Sequence, residues 1–168
     1  MTNILRDFSE AVILGYDLKP TTAEAIKIID RHFKGFDILT FVTDLERLLK
    51  PFAKEPIARE IELTDPPPVM RIEYISENYL DESEGLYISR TFSYEQGELV
   101  VYHEIQQLPY LCRKHGMGKK IMSAFLEQYE KMGVKRIDLY AALSDGGAVW
   151  ARLGSRQREN QRWSEFCR

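Results

Sequence analysis

The apolar residues of this chain change their spacing twice, and that constrains the fold more than any other feature. From Thr21 to Lys50 they recur with helical period: Ala25, Ile26, Ile29 and Phe33, then Ile38, Phe41, Val42, Leu45, Leu48 and Leu49. Thr21 or Thr22 starts the first of these helices with Glu24 in its first turn, Lys34-Gly35 ends it, and Pro51 stops the second. Ile4, Leu5, Phe8, Val12 and Ile13 form a weaker helical candidate before both. Beyond the Pro66-Pro67-Pro68 break the period becomes two, with Val69, Arg71, Glu73 and Ile75 set against Met70, Ile72 and Tyr74. Two further strands follow, around a glycine-containing hairpin at 94–97. Helical spacing then returns in Ile121, Met122, Phe125, Leu126, Tyr129 and Met132, with Gly133 to end it and a strand over 136–143. The order is helices, three antiparallel strands, helix, strand, helix: an α+β chain with a mostly antiparallel sheet.

At 168 residues and 44% apolar content the chain is long enough to bury one domain-sized core. No apolar run approaches the roughly 20 residues needed to span a bilayer, and the start lacks a signal peptide's plan, so no membrane association is expected. Cys112 and Cys167 have no metal-binding spacing, which excludes zinc ribbons and disulfide scaffolds and points to a cytoplasmic protein with reduced thiols.

The net charge of −3 conceals a strong asymmetry. Residues 1–59 balance, with nine basic and nine acidic side chains. Residues 60–110 hold two basic against eleven acidic, and residues 111–168 hold twelve basic against six acidic. An acidic middle before a basic end suits a cationic ligand on one side and an anionic one on the other; the plain alternative is solvated surface.

The stretch Arg113-Lys114-His115-Gly116-Met117-Gly118, between a strand and an amphipathic helix, carries the most chemistry. Glycines let a ligand approach the backbone, and free N–H groups at a helix start bind phosphate. Arg113, Lys114, Lys119 and Lys120 add positive charge there. The stretch is neither a dinucleotide fingerprint nor a P-loop, because Gly-x-Gly-x-x-Gly and Gly-Lys-Ser/Thr are both absent.

With that loop, its helix, the strand at 136–143 and the run from Asp145 through Trp150 to Gly154, residues 98–155 resemble the GNAT superfamily of acetyl-CoA-dependent N-acetyltransferases. The resemblance implies a GNAT-like domain over 56–168 with an atypical C-terminal tail, preceded by a helical N-terminal extension over 1–55. It implies that residues 113–118, with Lys119 and Asp145, contact the cofactor, and that the Leu108 backbone serves the pantetheine arm and the thioester carbonyl. Glu104 becomes the candidate base, helping the amine lose its proton. His103, its neighbour, faces the other side of the strand and reads as structural.

The sequence departs from the family in three positions and at its end. Trp150 stands where a tyrosine commonly protonates the departing thiolate, and an indole N–H is no useful acid, which leaves Tyr140 as the nearest phenol. Asp145 replaces an asparagine and Ser155 a phenylalanine. After Gly154 the chain is polar and arginine-rich instead of strand-like, so the acceptor wall is left open or closed by a partner, a homodimer being one arrangement. The tail lacks the aromatic platform or module that would point to nucleic acid. The expected function is acetyl transfer from acetyl-CoA to a cationic amine acceptor, a small molecule or a protein. The alternative is a GNAT-like binding or regulatory module that keeps the cleft without the chemistry.

Overall fold

The computed structural model describes residues 4–50, 56–81 and 83–139. In chain order these form α1 (Ile4–Ile13), β1 (Tyr16–Lys19), α2 (Thr22–His32), α3 (Ile38–Leu49), β2 (Ile57–Thr64), β3 (Val69–Ser76), β4 (Tyr87–Glu95), β5 (Glu98–Gln107), α4 (Tyr110–Lys114), α5 (Met117–Met132) and β6 (Arg136–Leu139). The strands make one six-stranded sheet in the order β1-β2-β3-β4-β5-β6. The four central strands are antiparallel, and both outer pairs, β1 with β2 and β5 with β6, are parallel. The architecture is therefore α+β, with a mixed open sheet flanked by helices.

Local chemistry explains the borders. Asp37 caps α3, its carboxylate accepting from the Thr40 N–H at 3.1 Å. The β4–β5 connection is a two-residue turn, Gln96-Gly97, with both φ angles positive at 52° and 85°, the backbone a tight hairpin needs. Gly35 closes the α2–α3 turn against α5 so tightly that a Cβ there would lie 2.2 Å from the Lys131 carbonyl oxygen.

Sequence periodicity and structure differ at three places. The segment read as a helical extension also supplies β1, which pairs in parallel with β2. Residues 57–64, before the proline break, form β2 and make the antiparallel meander four strands long. The loop read over 113–118 begins inside a short helix, α4, which follows Pro109.

The core lies between the helices and one face of the sheet, where Ile61, Met70, Ile72, Phe92 and Val101 are buried. Phe125 of α5 meets Phe41 of α3, with ring centroids 5.0 Å apart, and Tyr129 of α5 meets Phe92 at 5.5 Å. Tyr94 of β4 reaches α2, donating its hydroxyl to the His32 carbonyl at 2.6 Å. The other face carries polar side chains, among them Glu60, Glu62, Arg71, Glu73, Ser89, Thr91 and Glu104. No helix among the described residues is long and apolar enough to cross a membrane.

Candidate functional site

A β-bulge organises the far end of β5. His103 pairs with Arg90 of β4, but Ser89 pairs with Ile105, so Glu104 is an extra residue with no partner opposite it. A bulge twists a strand and turns its later side chains to the other face. Continued alternation from Leu99, Val101 and His103 would bury Ile105, yet Ile105 is 37% exposed. Gln106, paired with the buried Ile88, takes the core-facing place.

Glu104 sits exposed on the polar face. Its carboxylate meets the Ser89 hydroxyl at 2.9 Å and the Thr91 hydroxyl at 3.1 Å. Ser89 also lies 3.0 Å from the Glu73 carboxylate, which accepts from the Tyr87 hydroxyl at 3.2 Å. One serine proton serves one acceptor at a time, so two carboxylates converge on a single donor. That arrangement concentrates negative charge on the polar face of the sheet.

His103 faces the core. It is 3% exposed, and its Nε2 lies 2.8 Å from the Tyr129 hydroxyl. Burial, with the Arg90 charge nearby, holds its imidazole well below the ordinary histidine range and keeps it neutral. It is placed for packing and stands away from Glu104.

Arg90 is wholly buried, which is rare for arginine. Its Nη1 donates to the carbonyls of Ser89 at 2.7 Å and Ile105 at 2.6 Å, and Nη2 donates to Oε1 of Gln106. Its guanidinium carbon lies 5.0 Å from the Phe125 ring centroid. Burial lowers its pKa, yet guanidinium starts so high that it stays charged.

The residues expected to hold the cofactor come together at the start of α5. Gly116 adopts the left-handed conformation, φ 64° and ψ 22°, and leads into the helix. The Lys119 N–H donates back to the Gly116 carbonyl at 3.1 Å, while those of Met117 and Gly118 have no backbone acceptor among the described residues. Arg113, His115, Lys119 and Lys120 are exposed around this turn. Leu108 is buried and its carbonyl accepts from Arg113 Nε at 2.8 Å, so that acceptor is already engaged on one lone pair. A Cβ on Gly118 would point to the sheet, 3.5 Å from Leu108 Cδ1 and 3.6 Å from Gln106 Nε2, both ordinary contacts.

No protein-family model matches the chain, and no curated protein matches its sequence.

Tyr140, Asp145, Trp150 and the arginine-rich tail lie outside the described residues. Among the described residues no group of three or more His, Cys, Asp and Glu side chains is arranged to hold a metal ion. Cys112 is buried, and burial pushes its thiol up, away from nucleophilic chemistry. Sequence reasoning missed Ser89, Arg90 and Gln106. One of them was visible: Arg90 stands between Ile88 and Phe92 on the apolar side of β4, a place where a solvated arginine does not belong.

Proposed function

We propose that the chain is a GNAT-type N-acetyltransferase that moves an acetyl group from acetyl-CoA to a primary amine by direct attack. The observation that carries this reading is the β5–α5–β6 crossover. β6 returns parallel to β5, their described pairing ends at His103 with Leu139, and β5 runs on to Gln107, beside the first turn of α5. Ligands of open sheets gather beyond the carboxyl ends of parallel strands, and anions gather at helix N-termini. The two coincide here, within a basic surround.

In this reading the pyrophosphate of acetyl-CoA meets the N–H groups of Met117 and Gly118, with Arg113, Lys114, His115, Lys119 and Lys120 supplying positive charge. The thioester lies along the end of β5, where the Leu108 N–H faces the oxygen that gains charge during attack. The amine nitrogen attacks the carbonyl carbon, a C–N bond forms and the C–S bond breaks. The amine's proton passes to Glu104, directly or through one water, and the thiolate takes a proton from Tyr140 or solvent. Ser89 and Thr91 orient the Glu104 carboxylate, and Glu73 adds negative charge that attracts a cationic amine.

The test is calorimetric titration with acetyl-CoA and with CoA, followed by an amine screen that detects free thiol. Tight binding with acetyl transfer to an amine supports the reading. Binding without turnover on any amine moves it to the binding-module alternative, and absence of binding rejects both.

A further inference from the structure

Large apolar side chains gather on the surface at one end of the sheet. Tyr79 and Leu80 on the connection between β3 and β4, Ile105 beside the β5 bulge, and Tyr110 and Leu111 in α4 are all exposed, Leu80 at 82%. Single exposed apolar residues are ordinary, but a cluster of them marks a surface that another molecule covers.

Hydrogen bonds make these three elements one surface. The Gln107 amide at the end of β5 donates to the carbonyls of Tyr79 at 2.8 Å and Asp81 at 3.1 Å, and the Ser83 carbonyl accepts from the Tyr110 N–H at 2.7 Å. The Tyr79 ring stands edge-on to Tyr87 of β4, with centroids 5.6 Å apart. The connection is thus fastened to β4, β5 and α4, and Leu80 stays exposed on a backbone that is already ordered. Such a surface loses less entropy when it binds.

The charge around the patch has one sign. Glu77, Asp81 and Glu84 are exposed on the same connection, and Glu73 and Glu104 converge on Ser89, the partner of Ile105 across the ladder. Of the two basic residues in 60–110, Arg90 is buried. Apolar contact inside an acidic rim fits a partner that is apolar and cationic at once. An anionic lipid surface would be repelled by these carboxylates. A bare polyamine would satisfy the carboxylates and leave the leucines and tyrosines uncovered.

We propose that the acceptor is a polypeptide segment, and that this patch docks the apolar side chains flanking its lysine or terminal amine. The acceptor role rests on the acetyltransferase reading above; the docking does not. Ile105 directly follows Glu104, and Tyr110 lies just beyond Leu108, so a docked segment brings its amine to the candidate base and the thioester. Transfer leaves an amide on the segment and a free CoA thiol, with the amine's proton passing to Glu104 and another reaching the thiolate.

The test uses the full chain and three probes: a fluorescent synthetic peptide of lysine, leucine and phenylalanine, a matched peptide with serine for both apolar residues, and spermidine. Leu80→Ser and Leu111→Ser are the variants, since both side chains are exposed and lie outside the core. By anisotropy without CoA, wild type should bind the apolar peptide about tenfold more tightly than the serine peptide. Each variant should lose about threefold or more of that affinity, with CoA affinity by calorimetry within about twofold of wild type. With acetyl-CoA present, kcat/KM for the apolar peptide should fall in the same variants. Equal binding of the two peptides, or variants that bind the apolar peptide as well as wild type does, overturns the docking and leaves the acetyltransferase reading standing. Spermidine acetylated better than either peptide has the same consequence. A wild-type dimer that both variants dissociate gives the patch to a second copy and also overturns the proposal. Parallel loss of peptide and CoA binding in both variants does so too, because the substitutions then act through the cofactor turn. Wild-type protein that binds the apolar peptide and not CoA rejects the acetyltransferase reading and the acceptor role with it, and leaves a docking surface alone.

Discussion

The guanidinium of Arg90 holds the carbonyl of Ile105 at 2.6 Å across the bulge, tying β4 to the one stretch of β5 where regular pairing lapses. Removing that group leaves the Ile105 and Ser89 carbonyls and the Gln106 amide oxygen without their donor. Each buried acceptor so orphaned costs on the order of 1–3 kcal/mol, while loss of the desolvated charge offsets part of it. Arg90→Met should therefore lower stability by about 2–3 kcal/mol. Urea unfolding measures it: the midpoint should fall with the slope unchanged. A variant as stable as wild type would mean that the bulge closes without its cation.

His103 makes stability depend on pH. Its folded pKa lies below that of the unfolded chain, so between the two values the unfolded state binds more protons. Stability is thus fully present above the unfolded value, about 6.5, and is lost progressively as pH falls below it. Unfolding free energy should decline between pH 7 and pH 5, and His103→Gln should flatten that decline. Asp37 acts at lower pH. Burial alone would raise its carboxyl, but hydrogen bonds from Thr40 and the charge of Lys131 bring it below the usual range. Its contribution is present above the unfolded value near 3.8 and disappears as pH drops further. Asp37→Ala should cost about 1 kcal/mol at neutral pH and little at pH 2.

The two glycines of the α5 entry differ in what they do. Gly116 has a left-handed backbone with nothing within 4 Å of a Cβ, so Gly116→Ala meets only backbone strain, about 1 kcal/mol. Gly118 is helical and an added methyl group makes ordinary contacts, so Gly118→Ala should be neutral or stabilising by up to about 1 kcal/mol. Gly118→Val would press a branched side chain toward Leu108 and Gln106. In the acyl-CoA reading it should weaken CoA binding by shifting the first turn of α5 off the sheet, even where the fold survives. Melting curves and CoA titrations on the three variants separate these effects.

What the sequence made legible follows from how local each signal is. The α2, α3 and α5 helices announce themselves through apolar residues at helical spacing and through Asp37, Gly116 and Gly133 at their ends. β1 does not, because four residues with Tyr16 and Leu18 inward carry too little alternation. That strand exists because β2, some forty residues away, offers it an edge. The bulge at Glu104 is invisible for a different reason: Leu99, Val101, His103 and Ile105 alternate without interruption. Its supports are on the neighbouring strand, in Arg90 and Ser89, so the carboxylate and the amide of the candidate site are oriented by residues that no local pattern connects to them. The α5 entry, by contrast, was readable because a glycine-rich helix start is encoded within six consecutive residues.

Glu104 should behave as a base and not as a binding residue. Glu104→Gln keeps hydrogen bonding to Ser89 and Thr91 but cannot take a proton. In the acetyltransferase reading kcat should fall by about 10²–10⁴-fold with acetyl-CoA affinity nearly unchanged. Ser89→Ala should have a milder effect on kcat, since it loosens the carboxylate's orientation without removing it. Steady-state kinetics on the best amine decide: a Glu104→Gln enzyme with normal kcat would assign proton removal to another group.

The acceptor should be a cation drawn by the acidic strands and loops of residues 60–110. Glu73 and Glu104 converge on Ser89, and Glu77, Asp81 and Glu84 are exposed on the connection between β3 and β4. Asp81 is unsuitable for a charge test, because its carboxylate accepts from the Ser83 N–H at 2.8 Å and the Ser83 hydroxyl at 2.7 Å, which shape the loop. The same bonds hold its pKa below the ordinary value. Glu77 and Glu84 are better choices, being exposed charges whose reversal leaves those Asp81 bonds in place. Attraction over several ångströms is screened once the Debye length shrinks to about 3 Å near 1 M salt. For the true acceptor kcat/KM should therefore fall as salt rises from about 10 mM toward 1 M, mainly through KM. Glu77→Lys with Glu84→Lys should raise the acceptor's KM several-fold at low salt, and the difference from wild type should vanish at high salt. The KM for acetyl-CoA is read in the same assays, because the Ser83 carbonyl accepts from the Tyr110 N–H at 2.7 Å and so ties this loop to the start of α4. An acceptor KM that ignores both salt and the double substitution would reduce the acidic stretch to solvated surface, and the amine would then have to be recognised by shape alone.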